Sequence, residues 1–377
     1  MIYLDYSATT PVDDRVLDTY VKVTKEYIGN ANSMHTLGVK SKELWIQSTN
    51  QIAEILGVDS KEIIFTSGAS ESNATAIKGV AYKYNKRGKH IITTKLEHKS
   101  ILETMGFLSN NGYEVDFVEL DSNGQIDLKS LESLMREDTI LVSICAVNSE
   151  TGFEQPIKEV SKIVRKKNKN TILHSDLTQA LGKMKFDLKD VDLASFSSHK
   201  IYAPKGCGIL YKKKDINIDI LIYGTTANCP FRGGTPALPL VAAFAKALRL
   251  MYEDLDNKIN HCQKLKNKLV KGLEKYPIQI NSNELSVPQI VNFSLLEIKS
   301  ETFLHALERY EVYVSTTTAC SSGSESVALA SLSHGDKRVS TTSIRVSLSH
   351  LTTEKEIDEF LKIFDKVWKE LLLKWKN

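Results

Sequence analysis

From residue 62 to residue 197 the sequence alternates short apolar runs with segments of helical spacing. That alternation limits the fold more than any other feature. Glu62-Ile63-Ile64-Phe65-Thr66, His90-Ile91-Ile92-Thr93-Thr94, Val115–Leu120, Thr139–Val147, Thr171–Ser175 and Leu193–Ser197 read as strands. Helical stretches over 98–111, 128–135 and 157–167, and one running toward Tyr84, separate them. Such an order predicts a mostly parallel sheet covered by helices on both faces. Helices are also expected over 14–28 and 40–56, the second stopped by Gly57. Residues 237–274 read as largely helical, 288–296 and 342–348 as strands, and 300–310 and 354–375 as helices. The expected architecture is α/β: a large domain over 14–255, and a smaller α+β domain formed by 1–13 with 256–377.

Composition narrows the function classes. Hydrophobic residues make up 42% and charged residues 25% of 377, as in an ordinary globular protein. A net charge of +3 with scattered lysines gives no case for direct nucleic-acid binding. No apolar run is long enough for a membrane span, and the N-terminus has no signal-peptide pattern. Five cysteines without a CxxC pair argue against a disulfide framework and a structural metal, so a cytoplasmic protein with reduced thiols is expected.

In such sheets ligands gather at the carboxyl ends of strands. Lys200, in Ser197-Ser198-His199-Lys200, ends one. Lysine is rarely buried without a purpose, and desolvation frees its amine to form a Schiff base with an aldehyde such as pyridoxal 5'-phosphate (PLP). The alternative is a lysine that snorkels to solvent. Ser67-Gly68-Ala69-Ser70 joins a strand to a helix as a phosphate cradle does, although Ser70 with Asn73 also fits ordinary capping. Asp176 at a strand end can hold a pyridinium nitrogen or cap a helix, and Gln179 can donate to the ring oxygen. His98 can lie over a ring and move protons, or be merely structural. Arg345, in a strand-like run, suits a substrate carboxylate or a structural ion pair. Cys320 stands in a run of small polar residues that reads as a mobile loop, where a thiol can reach a substrate and then a partner.

Together these residues resemble the cysteine desulfurases, PLP enzymes of the class V aminotransferase group with fold type I. The resemblance runs nearly the whole length. It is carried by Tyr3-Leu4-Asp5-Tyr6-Ser7-Ala8-Thr9-Thr10-Pro11, Thr66–Asn73, Glu97-His98-Lys99, Gln155-Pro156-Ile157, the Asp176/Gln179 pair, Ser197–Gly206, the Cys320 loop and Ser343-Ile344-Arg345. It implies that Lys200 forms the Schiff base, His98 stacks on the ring, Asp176 pairs with its nitrogen and Gln179 meets its hydroxyl. Ala69, Ser70, Ser197 and His199 would hold the phosphate. Thr235 would reach the cofactor phosphate of a partner subunit in a homodimer. Arg345, with Asn148, would bind the substrate, L-cysteine. Cys320 would take its sulfur as a persulfide and pass it to an acceptor protein, an iron–sulfur scaffold or a tRNA-thiolation enzyme.

The sequence departs from the family pattern at Ser149, where a second Asn is usual, at Leu177, usually small, in the 224–232 segment, and at Thr317-Thr318 before Ala319-Cys320. These changes surround the substrate rather than the lysine. Two other readings remain at this stage: a PLP enzyme of different specificity, such as a selenocysteine lyase or an aminotransferase, and a non-catalytic paralogue acting as an assembly partner.

Overall fold

The computed structural model describes residues 1–224, 230–316, 326–333 and 335–375. Cys320 and Cys229 lie outside them, as does most of the altered 224–232 segment.

The described strands, in chain order, are β1 (Ile2–Tyr3), β2 (Ile63–Thr66), β3 (His90–Thr94), β4 (Glu114–Val118), β5 (Thr139–Ser143), β6 (Ile172–Asp176), β7 (Leu193–Ser197), β8 (Gly208–Lys212), β9 (Gln279–Ile280), β10 (Ile290–Ser294), β11 (Val312–Tyr313), β12 (Ser315–Thr316) and β13 (Ser343–Ser347). Among the described residues, seven form one sheet in the order β2-β8-β7-β6-β5-β3-β4. From β7 to β4 every pairing is parallel, and β8 runs antiparallel to both its neighbours. The sheet is therefore α/β and mostly parallel, as expected.

Alternation along β7 shows how the layers form. Leu193 faces a core with Ile77, Ile91 and Ile172, whereas Ala194 and Phe196 face one with Ile52, Phe244 and Leu248. Successive residues of a strand point to opposite faces, so a strand buried on both sides is apolar throughout. Helix Ala69–Tyr84 covers the first face, and helices Thr36–Leu56 and Leu238–Tyr252 the second.

Local chemistry moves the boundaries. The helix expected from residue 40 begins at Thr36, because the His35 ring accepts from Gly38 N–H and caps it. The strand expected to reach Val147 ends at Ser143. Beyond it Ala146 still donates to the Asp176 carbonyl, but its own carbonyl accepts from Gln155, which draws the chain out of the ladder.

A second sheet, β12-β13-β10-β9, is antiparallel. It packs with helices Leu255–Leu273 and Glu354–Trp375 around Phe293, Phe303, Phe360, Phe364 and Trp368. The N-terminal segment joins this core through Ile2 and Leu4, then pairs in parallel with β11 and meets Ser347 at Asp5. From there it runs on to the end of β7, where the Thr10 hydroxyl donates to the His199 carbonyl at 2.9 Å. Among the described residues no helix is long and apolar enough to cross a membrane.

Candidate active site

The carboxyl ends of β2 and β7 converge through one residue that the sequence reading passed over. Gly208, first in β8, pairs with Thr66 on one side and Ser197 on the other. A Cβ there would stand 2.6 Å from Gly68 Cα and 2.8 Å from the Phe196 carbonyl oxygen. Only glycine allows that approach. The Gly68 turn and Ser197 are thereby brought together: a Cβ on Gly68 would lie 3.9 Å from Ser197 Oγ. Helix Ala69–Tyr84 starts at this turn without a side-chain cap. Uncapped first-turn N–H groups and the helix dipole favour an anion. Ala69, Ser70 and Ser197 therefore border one anion-friendly corner. His199 lies alongside on the next turn, with its ring bonded to the Thr9 hydroxyl at 3.1 Å. Burial, with Lys200, Lys205 and Lys183 nearby, lowers the His199 pKa to about 4, so the ring is neutral at pH 7.

Asp176 ends β6 and is 7% exposed. One carboxylate oxygen accepts from Thr178 N–H at 2.9 Å and the other from Asn73 Nδ2 at 2.8 Å. The first bond is the local capping contact that the sequence allowed; the second spans 103 residues and is the less expected. Asn73, fully buried, also donates to Ser100 at 3.1 Å, and Ser100 bonds the His98 ring at 2.8 Å. The sequence offered Asn73 only as a capping residue. His98 caps helix Lys99–Ser109 with its ring nitrogen, the structural role that the sequence allowed. Its ring opens to solvent on one side, yet the surrounding protein lowers its pKa. Asp176 acts on it in the opposite direction, and Lys200 in the same direction.

Lys200 Nζ donates to the Ser7 and Ala8 carbonyls at 2.6 and 2.7 Å. Gln179 Nε2 donates to the same Ser7 oxygen at 3.0 Å. The Lys200 turn ends at Tyr202, which is held at φ 67°, a costly conformation for a bulky side chain. Its N–H donates to the Thr10 hydroxyl and its own hydroxyl shares a hydrogen with Ser349, so several contacts hold the strained turn.

Arg345 sits on β13 and is 9% exposed. Its guanidinium donates to Asp5 at 2.8 Å and to the Ser149 carbonyl at 2.9 Å, while buried Nε lacks a partner among the described residues. The structural ion pair is thus present, with donor capacity left over. Ser149 contributes through its backbone, a contact any residue there would make. Asn148, expected at the substrate, has its amide in the 148–151 turn: it donates to Leu96 O and accepts from Glu150 N, Thr151 N and the Thr151 hydroxyl. Leu177 is buried in the apolar core beneath the sheet, which explains how a larger residue is tolerated. Thr235 is exposed in a cavity bordered by Ser67, Gly206 and Arg232. Cys145, Cys207 and Cys262 are buried free thiols, and burial raises each pKa. No cluster among the described residues could hold a metal ion.

Residues 2–360 match the model of the class-V aminotransferase family. The mitochondrial cysteine desulfurase of Saccharomyces cerevisiae is 42% identical over 97% of this chain and 75% of its own length. Cysteine desulfurase IscS of Klebsiella pneumoniae subsp. pneumoniae is 41% identical over 97% of this chain and 92% of its own. The chain belongs to the cysteine desulfurases. Among solved structures, a NifS-like protein superposes with a TM-score of 0.93 at 40% identity, covering 98% of this chain and 99% of that one. An SspA structure, solved in complex with cysteine, superposes at 0.82 with 28% identity, covering 94% of this chain and 100% of that one.

Cysteine desulfurases use PLP, and this donor set fits it. An uncapped helix start beside Ser197 suits a phosphate, buried Asp176 suits a protonated ring nitrogen, and the Lys200 amine suits a cofactor aldehyde. Bound there, PLP supplies an electron sink for charge developing on the substrate carbon.

Proposed function

We infer that this cysteine desulfurase converts L-cysteine to alanine and receives the sulfur on Cys320. The observation that carries the Cys320 assignment is where the ends of its segment sit. Ser315 and Thr316, just before it, pair with Arg345 and Ile344 of β13. Ser326, just after it, donates through its hydroxyl to Glu150, a neighbour of the Ser149 whose carbonyl receives Arg345. The residues that flank 317–325 are thus held near the arginine suited to the substrate carboxylate.

Arg345 orients the amino acid by its carboxylate, using donors that Asp5 and Ser149 leave over. Lys200 accepts a proton from the substrate carbon, with His98, a weakened base, alongside. The Cys320 thiolate forms a bond to the substrate sulfur while the carbon–sulfur bond breaks. The carbon released from sulfur gains a proton and the first carbon regains the one given to Lys200, so cysteine becomes alanine and Cys320 becomes a persulfide. The sulfur then goes to an acceptor protein, an iron–sulfur scaffold or a tRNA-thiolation enzyme. Reduced buried thiols support work in the cytoplasm.

The homodimer reading is supported by apolar side chains left in water between the first two helices and at the start of the second: Ile28 is 75% exposed, Met34 92% and Leu37 49%. Light scattering should give twice the chain mass, and a fully active monomer would refute the pairing.

Persulfide trapped after incubation with cysteine should map by mass spectrometry to Cys320. Cys320→Ser should keep the yellow cofactor band but reduce sulfur release to near background. Label on Cys229 instead would overturn the assignment.

A further inference from the structure

Lys183 is 6% exposed and has no part in the chemistry above. It lies four residues beyond Gln179 on a helical turn, in which Leu181 N–H bonds to Leu177 O and Lys183 N–H to Ala180 O. Gly182, at φ 72°, ends the turn packed against Met251, where a Cβ would stand 2.7 Å from Met251 Cγ. Lys183 Nζ donates to Gln179 Oε1. At its other end Gln179 Nε2 donates to the Ser7 carbonyl, which also receives Lys200 Nζ.

These two partners decide which way the amide faces. A backbone carbonyl can only accept, and the Lys183 amine donates to the amide oxygen. The amide must therefore turn its oxygen to Lys183 and its nitrogen to Ser7 and Lys200. With an apolar residue at 183 the amide oxygen would lose its buried donor, and only the Ser7 carbonyl, shared with Lys200 Nζ, would hold the nitrogen side. Either orientation would then leave a different atom beside the cofactor lysine. Holding a buried amine for this purpose is costly. Desolvation, followed by the charges of Lys200 and Arg345, pushes the Lys183 pKa well below the usual lysine value, with Cys262 acting the other way.

We propose that Lys183 is a positioning residue that fixes the Gln179 amide so that it presents an N–H, never an oxygen, to the ring oxygen of the cofactor bound at Lys200. This rests on the reading that Lys200 binds PLP. An N–H directed at the ring oxygen favours the more negative, deprotonated form of the chromophore, because hydrogen bonds to a charged form stabilise it. Lys183 therefore sets the pH at which the bound cofactor changes colour, acting through Gln179.

The test uses full-length protein reconstituted with PLP and titrates its visible band against pH. Lys183→Met should raise the midpoint by about one pH unit. Lys183→Arg, which also only donates, should restore it toward wild type. In a Gln179→Leu background, adding Lys183→Met should shift the midpoint little further. Should Lys183→Met fail to fold, Gln179→Glu keeps a partner for Lys183 yet presents oxygen to the ring, and should raise the midpoint as well. A Lys183→Met or Gln179→Glu protein that titrates like wild type overturns the proposal. So do two single shifts that add in full in the double variant. A wild type that takes up no PLP overturns instead the cofactor reading beneath it.

Discussion

Inside the seven-stranded sheet, His174 is fully buried and bonded to Ser143 on β5 at 2.9 Å and to Ser195 on β7 at 3.0 Å. Nearby, Thr93 donates to the Ser143 carbonyl and Ser175 to the Ile144 carbonyl. The four-stranded sheet has a different filling. There Phe364 is fully buried and lies within 4.8 to 6.0 Å, centroid to centroid, of Tyr276, Phe293, Phe303, Phe360 and Trp368. Apolar contact is strong but tolerant of direction, whereas buried hydrogen bonds fix neighbours in one arrangement and are costly to leave unmade. The first interior therefore suits strand ends that must hold Asp176, Ser197 and Lys200 in register. The second supplies adhesion for a strand that delivers one arginine.

The aromatic side of this contrast gives the larger expected effect. Phe364→Ala removes a buried ring from five ring neighbours and should cost about 3–5 kcal/mol of stability. Activity per folded molecule should change little, since Phe364 touches no residue of the site. Denaturant unfolding followed with activity assays at low denaturant checks both parts. A cost under about 1 kcal/mol would mean that the second core does not depend on its rings.

Much of the first region was legible because its signals are local. Strand–helix alternation, the Gly68 turn and the residues at strand ends need only neighbours in sequence. What escaped depends on distant contacts. Strand β8, Gly208–Lys212, follows the turn-like Pro204-Lys205-Gly206 and is not among the expected strands; its place between β2 and β7 rests on pairing with residues far away in sequence. Asn73 is a capping residue until Asp176 arrives from 103 positions away. Asp5 meets Arg345 across 340 positions, so the sequence could show an arginine needing a partner but not which one. Ser7 and Ala8 act through backbone carbonyls, which no side-chain pattern reveals. The Gln179–Lys183 spacing was in plain view, but without knowledge that both side chains are buried it carries little weight.

The polar side of the contrast has a smaller effect with a pH signature. Burial lowers the His174 pKa from 6.5 to about 4, although Asp176 pulls it upward. A depressed pKa means that the folded protein binds the proton less readily than the unfolded chain. The stability this histidine lends is complete above pH 6.5 and is lost as pH falls through about 4. Glu97 runs the other way: burial raises its pKa from 4.5 to about 8, so its contribution is complete below 4.5 and is lost as pH rises toward 8. The wild-type profile mixes both slopes, so the informative quantity is a difference between variants. His174→Gln should be less stable than wild type by about 1–3 kcal/mol at pH 7.5, from imperfect bonds to Ser143 and Ser195. Because glutamine does not titrate, the difference should shift by about 2–3 kcal/mol in the variant's favour on going to pH 4, closing or reversing the gap. Urea midpoints measured for both proteins across that range test it. A gap independent of pH would mean that His174 is not held neutral by the fold, and the polar interior would then be no more acid-sensitive than the aromatic one.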